Sequence, residues 1–157
     1  MKHHIIIIMI IFIFIVGVTM EAQEIEKPVK GLKVTILVYS GRPNPTYTTT
    51  DENFIKKIDS ALKSKPKNKN FKDKTVSPSV LGYNGILVEN FSDSMPDLEY
   101  FLVFRSNVEL KNKKPTEKGV PIEILEDSAS ELQDMLVREA KARGIIDQKV
   151  VDLIYKK

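Results

Sequence analysis

"LEYFLVFRSNVEL", residues 98–110, decides how the rest of the chain is read. Tyr100, Leu102 and Phe104 alternate with Phe101 and Val103, so an extended segment here is apolar on both faces. A strand with one face in water shows apolar residues on alternate positions only, whereas one covered on both sides reads as a near-continuous apolar run. The spacing therefore predicts one long strand at a central position in a sheet.

Other strands gather around it. Leu32, Val34, Ile36 and Val38 alternate with Lys33, Thr35 and Leu37, a β-branched pattern with one buried face. Asn84-Gly85 is a turn signal, and a strand from Ile86 to Phe91 follows it. A short strand is expected at "VPIEIL", residues 120–125; Pro121 has no N–H to give a neighbour, which places it at an edge. Between the strands, Thr49 with Glu52 reads as a capping box for a helix from about residue 50 to 64, with Phe54, Ile55, Ile58 and Leu62 on one stripe. Ser128 with Glu131 repeats the box before a stripe of Leu132, Met135, Leu136 and Ala140. Gly144 stops that helix, and Asp147 caps a last short one with Val150, Val151 and Ile154 inward. This order predicts an α+β fold: a mostly antiparallel sheet of about four strands with two to three helices packed on one face.

The first 22 residues are read apart from the fold. Lys2 precedes an unbroken apolar run from Ile5 to Val16, and Ala22 marks a cleavage point before Gln23. That is the layout of a secretory signal peptide. The alternative is an anchor through residues 5–20, although the run falls short of the roughly 20 apolar residues a membrane span needs. Residues 23–157, about 135 of them, suit a single domain. The chain is thus expected to be exported, secreted or periplasmic, and to touch a membrane only if the leader stays on.

Absences narrow the chemistry. The chain has no cysteine, so neither an acylated anchor nor a disulfide framework is available. Both histidines, His3 and His4, lie in the leader. The mature chain therefore lacks the parts for Ser-His-Asp or Cys-His catalysis, for a histidine base, and for almost all zinc sites. Nothing in the sequence implies a cofactor or a metal. The net charge is +3, and the leader leaves it unchanged because it carries one Lys and one Glu. Such a balance is not the footprint of a nucleic-acid binder.

The remaining distinctive stretch is "YSGRPNPTY", residues 39–47. A residue before proline is pushed into extended geometry, and this applies to both Arg42 and Asn44, while Pro43 and Pro45 have φ near −65°. Gly41 gives the chain freedom to leave the strand. Two readings stand. In one, Arg42 and Asn44 form a recognition fork for a carboxylate, sulfate or phosphate, flanked by Tyr39 and Tyr47. In the other, which the residues favour because helix-start carboxylates are natural partners for a nearby arginine, Arg42 pairs with Asp51, Glu52 or loop carbonyls and locks a strand-to-helix corner.

Here the residues also carry a resemblance. Ser40, Gly41, Arg42, Pro43, Asn44, Pro45 and the aromatic Tyr47, followed by Leu81, Gly82, Tyr83, Gly85 and Val88, resemble a family of small bacterial and fungal proteins. That family joins an SGRPNP-x-aromatic stretch to a later LGYxGFxV stretch and ends in a helix. This chain departs from it at Tyr47, where Trp is usual, and at Ile86, where Phe is usual. No activity is established for the family, so the resemblance implies shared architecture and a juxtaposition of the two motifs, with Tyr83 against the proline loop.

The sequence points first to a non-enzymatic binding module for an extracellular protein or glycan, using Arg42, Asn44, Tyr47 and Tyr83. The alternative is a small carboxylate-dependent hydrolase built on Glu89, Asp93, Asp97 and Glu99. A protease inhibitor presenting Arg42 is disfavoured by Pro43, which suits a trypsin-like cleft poorly. The lysine-rich loops at 63–74 and 111–118 read as solvated.

Overall fold

The computed structural model describes residues 30–69, 82–91, 94–96, 98–112 and 122–156. Residues 1–29, Leu81, Asp93, Asp97, Pro121, residues 70–74 of the first lysine-rich stretch and 113–118 of the second lie outside the described residues. Six strands form one antiparallel sheet: β1 (Gly31–Ile36), β2 (Thr46–Thr49), β3 (Ile86–Phe91), β4 (Leu98–Phe104), β5 (Asn107–Asn112) and β6 (Ile122–Glu126), in spatial order β2-β1-β3-β4-β5-β6. Three helices accompany it: α1 (Glu52–Ser64), α2 (Glu131–Ala142) and α3 (Gln148–Tyr155).

Cross-strand partners share a face, so the register sorts the side chains. Ile36, Ile86, Val103, Val108 and Leu125 form one row across five strands, and every member is buried. Phe54, Ile58 and Leu62 of α1, Leu132 and Leu136 of α2, and Val150 and Ile154 of α3 pack into the same cluster. Each such side chain contributes about 1.5–3 kcal/mol by leaving water. The helices thus cover one face, and the α+β class is the one the sequence pattern requires. Gly85 lets β3 start close beside β4. Its φ is 111°, and an added Cβ would stand 2.7 Å from the Val103 carbonyl oxygen.

The sheet has two more strands than expected. The long strand over 98–110 is a hairpin, β4 and β5, joined by Arg105 and Ser106. Arg105 has φ 53°, a region that favours glycine, so no glycine announces the turn. Its geometry is held from outside: Gln133 Oε1 of α2 accepts the Arg105 N–H at 2.9 Å, and the Ser106 carbonyl accepts the Asp127 N–H at 2.7 Å. β4 does lie inside the sheet, between β3 and β5. The other addition is β2, where Thr46–Thr49 pairs with β1 instead of leading directly into a helix.

Both capping boxes are displaced. Asp51, not Thr49, caps α1, accepting from the N–H groups of Asn53 and Phe54 at 2.9 and 3.2 Å. Ser128 does not cap α2. The Asp127 carboxylate does, accepting from Glu131 at 3.1 Å and Leu132 at 2.9 Å, while Ser130 at the cap position makes no side-chain bond. A carboxylate opposite helix N–H groups gains from the helix dipole, which a hydroxyl does not. Gly144 ends α2 and Asp147 caps α3, as the spacing indicates.

Candidate functional site

The proline loop joins β1 to β2 and is fixed by one side chain. At the end of β1, Ile36 donates to the Pro45 carbonyl and the next residue, Leu37, donates to the Gly85 carbonyl, both at 2.9 Å. Val38 and Tyr39 then have no strand opposite them. Asn44 supplies the acceptor: its Oδ1 receives the Val38 N–H at 2.9 Å and the Tyr39 N–H at 2.8 Å, and its carbonyl receives the Thr46 hydroxyl at 3.2 Å. Gly41, at φ 81°, turns the chain. The corner is therefore locked by Asn44.

Arg42 takes no part in that lock. It is exposed, and its guanidinium lies 3.5 Å above the centre of the Tyr39 ring. Among the described residues it makes no hydrogen bond or ion pair. The expected partners are engaged elsewhere: the Asp51 carboxylate caps α1, and Glu52 reaches Lys56 one turn on. The Asn44 amide nitrogen likewise meets no protein acceptor among the described residues. Because Oδ1 is occupied, the loop's Arg42 and Asn44 side chains offer donors and no acceptor.

Tyr47 and Tyr83 are placed differently. Their exposures are 6% and 9%, and both hydroxyls turn to α2. Tyr47 donates to the Leu136 carbonyl at 3.4 Å, and Tyr83 donates to Gln133 Oε1 at 2.7 Å. Burial, then the charge of Glu139, raises the Tyr47 hydroxyl above its ordinary range against the pull of Arg143. Burial and Tyr155 raise Tyr83, against Arg105. The second motif bonds to the end of β1 ahead of the proline loop and not to residues 39–47: the Asn84 N–H donates to the Leu37 carbonyl at 2.7 Å. Tyr83 packs on Phe104, with ring centres 5.6 Å apart. Both tyrosines thus fasten the sheet to α2, and the surface portion of the candidate set is Arg42 with the Asn44 amide.

Asp127, Lys65 and Arg143 hold the scaffold, and Lys65 corrects the solvated reading of residues 63–74, because its side chain is drawn out of water by two carboxylates. Asp127, with no exposure, accepts from Lys65 at 2.8 Å, and Lys65 also meets Glu131. Burial disfavours the Lys65 charge, but the hydrogen bonds and charges of Asp127 and Glu131 outweigh this and hold its proton above the usual lysine range. Arg143 donates to the Thr48 carbonyl and to Thr49 Oγ1, both at 3.2 Å, which binds β2 to the end of α2.

Of the carboxylates considered for hydrolysis, Glu89 pairs with Lys33 at 2.7 Å and Glu99 with Lys111 at 3.0 Å. Among the described residues there is no cluster of three or more metal-ligating side chains, and no helix is long and apolar enough to cross a membrane. No family model, curated protein or solved structure matches the chain.

Proposed function

We propose that this chain is an exported, non-enzymatic binding module that meets its partner at the proline loop. The observation that carries the reading is Arg42: exposed, stacked on Tyr39, and without an ion pair among the described residues, on a loop that Asn44 already holds rigid. A planar guanidinium with its N–H edges free suits bidentate contact with an oxyanion. A single uncompensated charge matches a monoanion such as a carboxylate or sulfate ester better than a dianion. Preorganisation lowers the ordering cost of binding. Export rests on the leader-like residues 1–22.

Glu89 and Glu99 face a common depression and so keep the hydrolase reading in view, yet each has a lysine ammonium within 3.0 Å. Each carboxylate is thus engaged by a cation on the sheet surface instead of standing free to meet a scissile bond.

The test is an array of carboxylated and sulfated glycans and acidic peptides, read with the wild-type protein and with Arg42→Ala. Ligands retained by the first and lost by the second, with both proteins folded at the assay temperature, support the reading. An array on which the two proteins behave alike refutes it.

A further inference from the structure

The sheet face opposite the helices carries a second constellation, at the other end of β1 from the proline loop. Register places Thr48, Lys33, Glu89, Tyr100 and Lys111 in one row across five strands. With strands about 4.8 Å apart, the row is about 19 Å long. Thr48, Lys33, Glu89 and Tyr100 line a depression of about 380 Å³, together with Phe91 and Glu99. That volume lies at the low end of the about 300–1,000 Å³ typical of ligand sites.

Its chemistry is specific in three ways. First, two aromatic rings are held in place. Phe91 lies over Gly31 so closely that an added Cβ there would stand 2.2 Å from the ring, and Phe91 remains 37% exposed. Tyr100 has the Lys111 ammonium 5.2 Å from its ring centre. Second, the charges cancel locally, Lys33 with Glu89 at 2.7 Å and Lys111 with Glu99 at 3.0 Å. The depression therefore gives no net reward to a charged ligand. Third, donors and acceptors intermix along the row and beside it, with Lys33 and Lys111 donating, Glu89 and the adjacent Glu99 accepting, and Thr48 able to do both.

We infer that this depression binds a neutral saccharide. A pyranose has C–H faces that lie flat on aromatic rings, and a rim of hydroxyls that each donate and accept. Exposed ion pairs of this kind hold together by only about 0–1 kcal/mol, so hydroxyls can insert among them at low cost. A peptide is the weaker fit. The depression lies mainly on the inner strands β1, β3 and β4, whose backbone groups are already paired, so no added strand can form there.

The site is independent of Arg42, and the test keeps the two apart. The full chain is run through native gels containing soluble xylan, mixed-linkage β-glucan or galactomannan, and is sedimented with cellulose and chitin. Retention by at least one neutral polysaccharide is expected. Tyr100→Ala should weaken it at least about tenfold, as removal of an aromatic anchor does. Glu89→Gln, which keeps the side-chain shape, should weaken it in the same direction, and Arg42→Ala should leave it unchanged. Retention by none of the five polysaccharides overturns the inference. So does retention that survives both Tyr100→Ala and Glu89→Gln, or retention only on proline-rich peptide beads that Tyr100→Ala abolishes.

Discussion

Replacing Asn44 by Ala separates what holds the proline loop from what the loop presents. The substitution deletes Oδ1 and leaves the Val38 and Tyr39 N–H groups without the acceptor each now has at 2.9 and 2.8 Å. Val38 is buried, so water replaces that bond poorly. At about 0.5–1.5 kcal/mol for each bond, the loss is about 1–3 kcal/mol. For a domain of this size 1 kcal/mol lowers the melting midpoint by about 3–6 °C, so Asn44→Ala should lower it by about 3–18 °C. Asn44→Asp keeps an oxygen in place and should recover most of that fall. Arg42→Ala removes an exposed cation–π contact with Tyr39, about 0.5–1 kcal/mol, or about 2–6 °C. The assay is thermal unfolding by circular dichroism of all three variants beside the wild type. An Arg42→Ala midpoint as low as that of Asn44→Ala, or an Asn44→Ala midpoint equal to wild type, would refute the division of roles.

Three further outcomes follow from the scaffold. Asp127→Ala removes the buried partner of Lys65 and two helix-capping bonds, and should cost about 3–5 kcal/mol in urea unfolding. Adding Lys65→Met should restore part of it, because the stranded ammonium is then gone. Gln133→Leu strips the acceptor from the Tyr83 hydroxyl and from the Arg105 N–H, and should cost about 2–4 kcal/mol with the largest amide shifts at the β4–β5 turn. Finally, Tyr47 and Tyr83 are raised in the folded state, so their contribution is whole below the unfolded value of about 10 and is lost as pH rises through the folded values. Stability in urea unfolding should hold steady up to about pH 9.5 and fall beyond about pH 10, at up to about 1.4 kcal/mol per pH unit for each tyrosine, with Lys65, also raised, adding to the fall above about pH 10.5. Tyr83→Phe should shallow that fall.

Much of the fold is legible because burial writes a period into the chain. The Ile86–Phe91 strand, the α1 stripe of Phe54, Ile55, Ile58 and Leu62, and the closing glycine of α2 all rest on local pattern. The β4–β5 hairpin was not legible, because its turn chemistry is not local. Arg105 takes its left-handed φ with its N–H donating to Gln133 Oε1 and beside Ser106, whose carbonyl accepts from Asp127, and those partners stand more than twenty residues away in sequence. β2 was hidden for another reason: "TYTT" continues into a helix start, and two neighbouring capping signals, Thr49 and Asp51, overlap there. At the site, the stiffness of the loop and the prominence of Arg42 and Asn44 could be read from the two prolines. Which side chain locks and which stays free depends on α1, whose first turn engages the carboxylates that sequence proximity had offered to Arg42.

The most direct measurement is the dissociation constant of the strongest array ligand for the wild type, Arg42→Lys and Arg42→Ala, taken at two salt concentrations. The expected result is a loss of at least about tenfold in Arg42→Ala, a smaller loss in Arg42→Lys, and weaker binding at higher salt. Equal affinity across the three proteins, or an array without a single ligand, would contradict a binding role for the proline loop.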